Sequence, residues 1–279
     1  LFADMKRYHP REFARVKALV RRGRFEPLGD MWMEPDANIP SGEALVRQIL
    51  YGRKFFEKEF ATRSTICWWS DVFGVTASLP QILVQAGFRL YYSAKHSVWH
   101  DTNEFPYGTF WWEGIDGTRI MTHFPPTHFI EKMDPESLLL QWNLYQQKDE
   151  APHVMYTYGF GDGGGGPTER MLEYADRLGR MDGMPRMLMT TAERFVDALT
   201  SSAHDLPVWP DELYLEMHRG AQTTKGDLKQ RNRRAESALR AAEIVSSVVE
   251  ILGRGKAPNS RLEQAWKTLL ECHFHDAVT

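Results

Sequence analysis

Apolar positions along the chain switch repeatedly between a helical period and short continuous runs, and the switches mark the elements. Residues 11–22 carry Phe13, Val16, Leu19 and Val20 at helical spacing, and Gly23 stops the run. A strand-like stretch, 24–33, follows. Pro40-Ser41-Gly42-Glu43 then opens a second helix, with Ser41 as its N-cap and Leu45, Ile49, Phe55 and Phe56 as its apolar face. Residues 64–69 read as a buried strand, because the run is short, rich in β-branched and aromatic residues, and followed by the polar pair Ser70-Asp71. A helix at 80–86 and a strand at 89–93 continue the series. Strands at 110–112 and 119–123 come next, then a helix after Pro135 and a strand at 154–158. A glycine-rich loop leads into a helix at 168–178, and a helix at 191–199 closes the pattern.

This alternation of strand and helix predicts an α/β domain with a mainly parallel sheet, whose functional loops lie at the C-terminal ends of the strands. After Trp209-Pro210 the character changes. Residues 227–252 are rich in Ala, Arg and Glu at helical period with no strand signal, and a second helix is expected at 260–273. These two belong to a helical bundle. The boundary is expected near residues 203–213, giving domains of 1–208 and 209–279.

Composition narrows the function classes. With 279 residues the chain buries a substantial core in one or two domains. A net charge of −3, without a clustered basic excess, argues against nucleic acid and membrane surfaces as partners. No run of about 18 apolar residues marks a membrane span. The two cysteines, Cys67 and Cys272, sit in apolar stretches and suggest neither a disulfide framework nor a thiolate metal site, so a reducing, cytoplasmic setting is expected. Aromatic residues make up 12% of the chain, and many of its nine tryptophans neighbour Gly, Pro, Asp or His. Sugar sites use such rings as platforms, and a large core uses them equally well.

Three places concentrate reactive side chains. In Trp68-Trp69-Ser70-Asp71-Val72-Phe73-Gly74 an acid leaves the C-terminal end of a buried strand, where α/β enzymes place their chemistry; a loop acid capping the next helix is the alternative. In residues 158–168 four successive glycines, 163–166, separate a strand from a helix that Thr168 caps. No Lys-Ser or Lys-Thr follows them and their spacing is not that of a dinucleotide loop, so the segment presents one carboxylate, Asp162. Glu271-Cys272-His273-Phe274-His275-Asp276 could hold a metal, but histidines two apart do not share a helical face, so one of them would ligate. His123, His128 and His218 are weaker candidates. Two separated carboxylates are what glycoside hydrolysis uses, one to attack the anomeric carbon and one to protonate the leaving oxygen.

The combination of motifs resembles the glycoside hydrolase family 38 α-mannosidases of the cytosolic and bacterial type. The similarity runs through residues 29–43 (Gly-Asp-Met-Trp-Met-Glu-Pro-Asp-Ala-Asn-Ile-Pro-Ser-Gly-Glu), Asp71-Val72-Phe73-Gly74, Leu79-Pro80-Gln81-Ile82 and Asn103-Glu104-Phe105-Pro106. It continues through residues 111–117, His123-Phe124-Pro125-Pro126, the glycine loop, His218-Arg219-Gly220 and Phe274-His275-Asp276, in that order. The resemblance implies a retaining mechanism with Asp71 as nucleophile and zinc ligand, His275 as a second zinc ligand, and cobalt(II) as an alternative metal. It implies that Phe73 lines the mannose subsite, that Asp276 binds sugar hydroxyls and that Asp162 is the general acid and base, leaving His273 structural. The implied partner is a mannose-containing oligosaccharide.

The implied fold is an incomplete seven-stranded β/α barrel-like catalytic domain followed by part of a three-helix bundle. The chain departs from the family pattern in several places. It has no His-x-Asp strand ahead of residue 1 to supply two further zinc ligands, and no β domains after Thr279, so a fragment with weak or no activity of its own is expected. Ser70 stands where proline is usual, and Ala221-Gln222 where Thr-Tyr is common. A metal-dependent deacetylase or amide hydrolase on a related barrel, and a non-catalytic carbohydrate-binding module, are the competing readings.

Overall fold

The structure is a computed structural model and describes residues 1–128, 132–162 and 164–279. The chain begins with α1 (Phe2–Tyr8), α2 (Pro10–Arg21) and α3 (Gly42–Phe60). Next come β1 (Ile66–Trp68), α4 (Leu79–Gln85), β2 (Leu90–Tyr92), α5 (Lys95–Val98), β3 (Thr109–Glu113) and β4 (Arg119–His123). They are followed by α6 (Pro135–Leu144), α7 (Glu169–Leu178), α8 (Ala192–Ser202) and β5 (Val208–Trp209). The last three helices are α9 (Gly226–Ile251), α10 (Asn259–Cys272) and α11 (His275–Val278). No helix among the described residues is long and apolar enough to cross a membrane.

These elements group into two compact units, each drawn from several parts of the chain. A helical unit comprises Leu1–Arg63, Val72–Thr76 and His218–Thr279; a sheet unit comprises Ser64–Asp71 and Ala77–Met217.

The sheet unit carries one five-stranded sheet in the order β1-β2-β4-β3-β5. β1 and β2, β2 and β4, and β3 and β5 pair in parallel, while β3 and β4 form an antiparallel hairpin. The expected α/β class is therefore met with a mixed sheet. A seven-stranded barrel is not reproduced among the described residues, and one reason lies at 154–158. That segment was expected to be a strand, yet it carries an isolated bridge at Tyr158 and no ladder, and the backbone groups of Met155 bond to side chains. Met155 N–H donates to His123 Nε2 at 3.1 Å, and Gln141 Nε2 donates to the Met155 carbonyl at 2.7 Å. A part-buried backbone still needs partners, and at Met155 side chains supply them. The buried rings Trp69, Tyr91, Tyr92, Phe110, Trp112 and Phe124 form much of this unit's core.

In the helical unit, Ser41 caps α3 by accepting from Ala44 N–H at 3.3 Å, as its position before Gly42 predicts. Residues 24–33 form no strand; an isolated bridge at Pro35, paired with Phe274, and another at Ala37, paired with Val75, follow them. Gln48 of α3 holds this segment in place of a neighbouring strand: its backbone carbonyl accepts from Trp32 N–H at 2.9 Å and its side chain from Met33 N–H at 2.9 Å. Phe13, Phe56 and Phe60 make one apolar cluster between α2 and α3. A second joins Ala44 and Tyr51 of α3 to Trp266 and Leu270 of α10. Trp266 is fully buried, its Nε1 donates to Glu243 at 3.0 Å, and the Arg47 guanidinium lies 4.1 Å from its ring centroid. Trp266→Ala is therefore expected to cost about 4 kcal/mol, whereas Leu140→Ala, at a 53% exposed position, costs under about 1 kcal/mol. Equilibrium unfolding of the two variants beside the parent checks this, and equal losses would refute it.

Candidate functional site

In the sheet unit the site is built on β1. Ile66 and Cys67 are fully buried, and the Trp68 ring stacks on Tyr92 with centroids 3.9 Å apart. Glu193, in the first turn of α8, anchors the approach to this strand. It accepts from Thr65 N–H at 2.7 Å, from Thr65 Oγ1 at 2.5 Å and from Ser64 Oγ at 3.1 Å. Ser70 and Asp71 leave the sheet at the C-terminal end of β1, as the strand-then-acid pattern predicts. Asp71 does not cap the next helix, since the N-cap of α4 is Ser78. Its Oδ1 accepts from Lys95 Nζ instead. The Asp71 side chain is 21% exposed and that of Lys95 only 7%. The Lys95 ammonium also lies 4.7 Å from the Trp99 ring centroid.

Sequence reading missed Lys95. The signal was present in the spacing of the two strands: β1 and β2 pair in register, Trp68 opposite Tyr92, and Asp71 and Lys95 each stand three residues past those partners.

Asp162 lies on the glycine loop, exposed and with φ +51°. Phe160 N–H donates to the Gly166 carbonyl at 3.0 Å and closes the loop. A Cβ at Gly165 would stand 2.3 Å from the Phe160 carbonyl oxygen, so the closure itself demands glycine there. Thr168 caps α7 as expected, accepting from Met171 N–H at 3.2 Å. Gly163, another member of the glycine run, lies outside the described residues. The sheet unit also contains a cavity of about 250 Å³ lined by Met133, Leu138, Trp142, Tyr156, Tyr158 and Met187 among others. Neither Asp71 nor Asp162 lines it.

In the helical unit Phe73, His218 and His275 come together, although they are far apart in sequence. The Phe73 ring centroid is 4.8 Å from that of His218 and 5.6 Å from that of His275, the second pair edge-on. Asn38 Nδ2 and Gln222 Nε2 approach the Phe73 carbonyl at 3.5 and 3.2 Å. Sequence reading ranked His218 low, because a lone loop histidine is more often structural than a ligand. His275 is buried, and its Nδ1 lies 3.2 Å from the Glu34 carbonyl. A carbonyl partner assigns the proton to Nδ1 and leaves Nε2 as the ligating nitrogen of the ring. Asp276, with its side chain 65% exposed, places Oδ2 3.8 Å from His275 Nε2.

Helix α10 ends at Cys272 and α11 begins at His275, and His273 and His275 meet different partners. His273 is buried with Nε2 2.6 Å from Asn232 Oδ1, and burial lowers its pKa to about 4. His123 is also buried, with Nδ1 2.9 Å from Thr109 Oγ1, and burial lowers it to about 3. Both rings are neutral parts of packed networks.

A four-donor zinc site asks for a gathered set of ligands. Among the described residues no three His, Cys, Asp or Glu side chains cluster in that way. The ring of His275 has the proton placement a ligand needs, but the described residues do not by themselves fit a complete zinc site.

Residues 1–212 match the glycosyl hydrolases family 38 N-terminal domain, and residues 216–279 match the alpha mannosidase middle domain. The chain is 40% identical to human alpha-mannosidase 2C1 over 99% of its own length and 26% of that protein's. It is 34% identical to an alpha-mannosidase of Saccharomyces cerevisiae, over 97% of this chain and 26% of the relative. The chain thus spans about a quarter of the length of these relatives. Its fold matches the crystal structure of an alpha-mannosidase from Enterococcus faecalis with a TM-score of 0.78 at 20% identity, covering 99% of this chain and 32% of that one. The chain belongs to glycoside hydrolase family 38.

Proposed function

We propose that the full-length protein carrying this chain is a retaining glycoside hydrolase that releases terminal α-D-mannose through a covalent mannosyl-Asp71 intermediate. Asp162 acts as general acid and then general base. The observation that carries this reading is Asp71: a partly exposed carboxylate at the C-terminal end of a buried parallel strand, paired with a buried ammonium. A carboxylate so held is suited to attack a carbon rather than to take up a proton. Relatives named alpha-mannosidases at 34% and 40% identity supply the substrate class, a mannose-containing oligosaccharide. Family membership replaces the amide-hydrolase reading.

Phe73 and its histidine neighbours provide an aromatic surface suited to a sugar ring, and the exposed carboxylate of Asp276 is suited to accept hydrogen bonds from sugar hydroxyls. Zinc belongs to the proposal for the full-length protein, on donors that family resemblance assigns to Asp71 and His275. When bound, it supplies Lewis-acid polarisation of sugar oxygens. A cytoplasmic location completes the reading, in keeping with a two-cysteine composition.

The test is hydrolysis of aryl α-D-mannosides by the full-length protein, with the first-formed anomer read by NMR before mutarotation. The expected product is α-mannose, with activity lost to a chelator and restored by zinc. Release of β-mannose first, or turnover of β-mannosides in preference, would overturn the assignment.

A further inference from the structure

Lys95 is costly to bury, and stability alone does not explain its presence. A buried ion pair can commonly be replaced by apolar side chains at little or no loss, because desolvation offsets much of the Coulombic gain. Yet the fold brings this ammonium to one particular carboxylate. β1 and β2 run parallel with Ile66 opposite Leu90, Cys67 opposite Tyr91 and Trp68 opposite Tyr92. The offset of 24 residues in those pairs persists beyond the strands to Asp71 and Lys95. Ser93 and Ala94 then turn the chain into α5, which begins at Lys95 and brings the Trp99 ring under the same ammonium. Trp68 stacked on Tyr92 fixes the spacing of the two strand ends.

We propose that Lys95 is the positioning residue for the nucleophile in both displacements. It holds Oδ1 of Asp71 so that Oδ2 is the attacking oxygen, and it remains on Oδ1 throughout. The proposal rests on Asp71 being the nucleophile. In the first step Oδ2 forms a bond to the anomeric carbon as the bond to the leaving oxygen breaks, and that oxygen takes the proton of Asp162. Oδ1 becomes the ester carbonyl oxygen, still an acceptor for Nζ. In the second step water attacks the anomeric carbon and gives a proton to Asp162. The bond to Oδ2 breaks, and its electron pair returns to the Asp71 carboxylate. Lys95 keeps its proton in both steps. Its charge-assisted bond orients the carboxylate for attack and favours the negative charge that returns when the ester is cleaved.

The experiment uses the full-length protein, its K95M and K95R variants, and a fluorinated mannosyl fluoride that forms the covalent adduct rapidly and hydrolyses slowly. In K95M the first-order trapping constant is expected to fall about 100-fold, while reagent affinity stays within about threefold. K95R is expected to recover to within about tenfold of the parent, because it returns a cation to Oδ1. Trapping of Asp71 in K95M at the parental rate would overturn the proposal. So would equal losses in K95M and K95R, which mark Lys95 as a packing element only. Should K95M fail to fold, K95Q takes its place, and equal losses in K95Q and K95R overturn the proposal in the same way. A parental adduct on a carboxylate other than Asp71 would sink the nucleophile assignment itself, and the Lys95 proposal with it. Failure of the nucleophile reading is thus seen in the labelled peptide, and failure of the Lys95 proposal in the rates.

Discussion

Asp71→Asn is expected to lower kcat on an aryl α-mannoside by roughly 10⁴-fold or more in the full-length protein, the scale seen when a covalent nucleophile is removed. The substitution keeps the size and shape of the side chain, so the packing around β1 should survive. Two effects add. The amide oxygen is a poor nucleophile toward the anomeric carbon, and the Lys95 ammonium faces a neutral acceptor in place of a carboxylate. Metal content measured on the same sample separates loss of chemistry from loss of zinc. A variant that binds metal normally and keeps even a tenth of the parental kcat would show that Asp71 is not the nucleophile.

The second large effect concerns Asp162. Its left-handed φ of +51° makes the choice of replacement matter. Alanine there adds backbone strain, whereas asparagine accepts the same conformation and removes only the acid. Asp162→Asn is expected to reduce kcat/KM on alkyl and natural α-mannosides by roughly 10²- to 10⁴-fold, the usual worth of a general acid. On aryl mannosides with an acidic leaving phenol the loss should stay below about tenfold, because that leaving group departs without a proton. A loss independent of the leaving group would mean that proton donation comes from another residue.

The sequence signals that worked were local ones. Ser41 and Thr168 cap α3 and α7 where each precedes an apolar-periodic run. The strand at β1 followed by Ser70-Asp71 was readable because short apolar runs and polar exits are properties of adjacent residues. The long helix α9 was equally plain. Motif order led to the family, which the matches over residues 1–212 and 216–279 bear out.

Other features depend on residues that are distant in the chain. At 154–158 the backbone of Met155 is satisfied by the distant side chains His123 and Gln141, which no local pattern foretells. The grouping of Phe73 with His218 and His275 joins residues about 145 and 200 positions apart, for which no periodicity exists to be read. Lys95 stayed hidden for the same reason, since its meaning comes from the register between two strands rather than from its neighbours.

Capping, turn chemistry and alternation of apolar residues act over about four residues, so the chain alone dictated α2 to α4, α6 to α10, β1 to β4, and Asp71 as an acid at a strand's end, while the short helices α1, α5 and α11 were not read from it. Strand order, the antiparallel hairpin and the partner of that acid arise when buried groups compete for hydrogen bonds and opposite charge. That competition is resolved only once distant segments pack together.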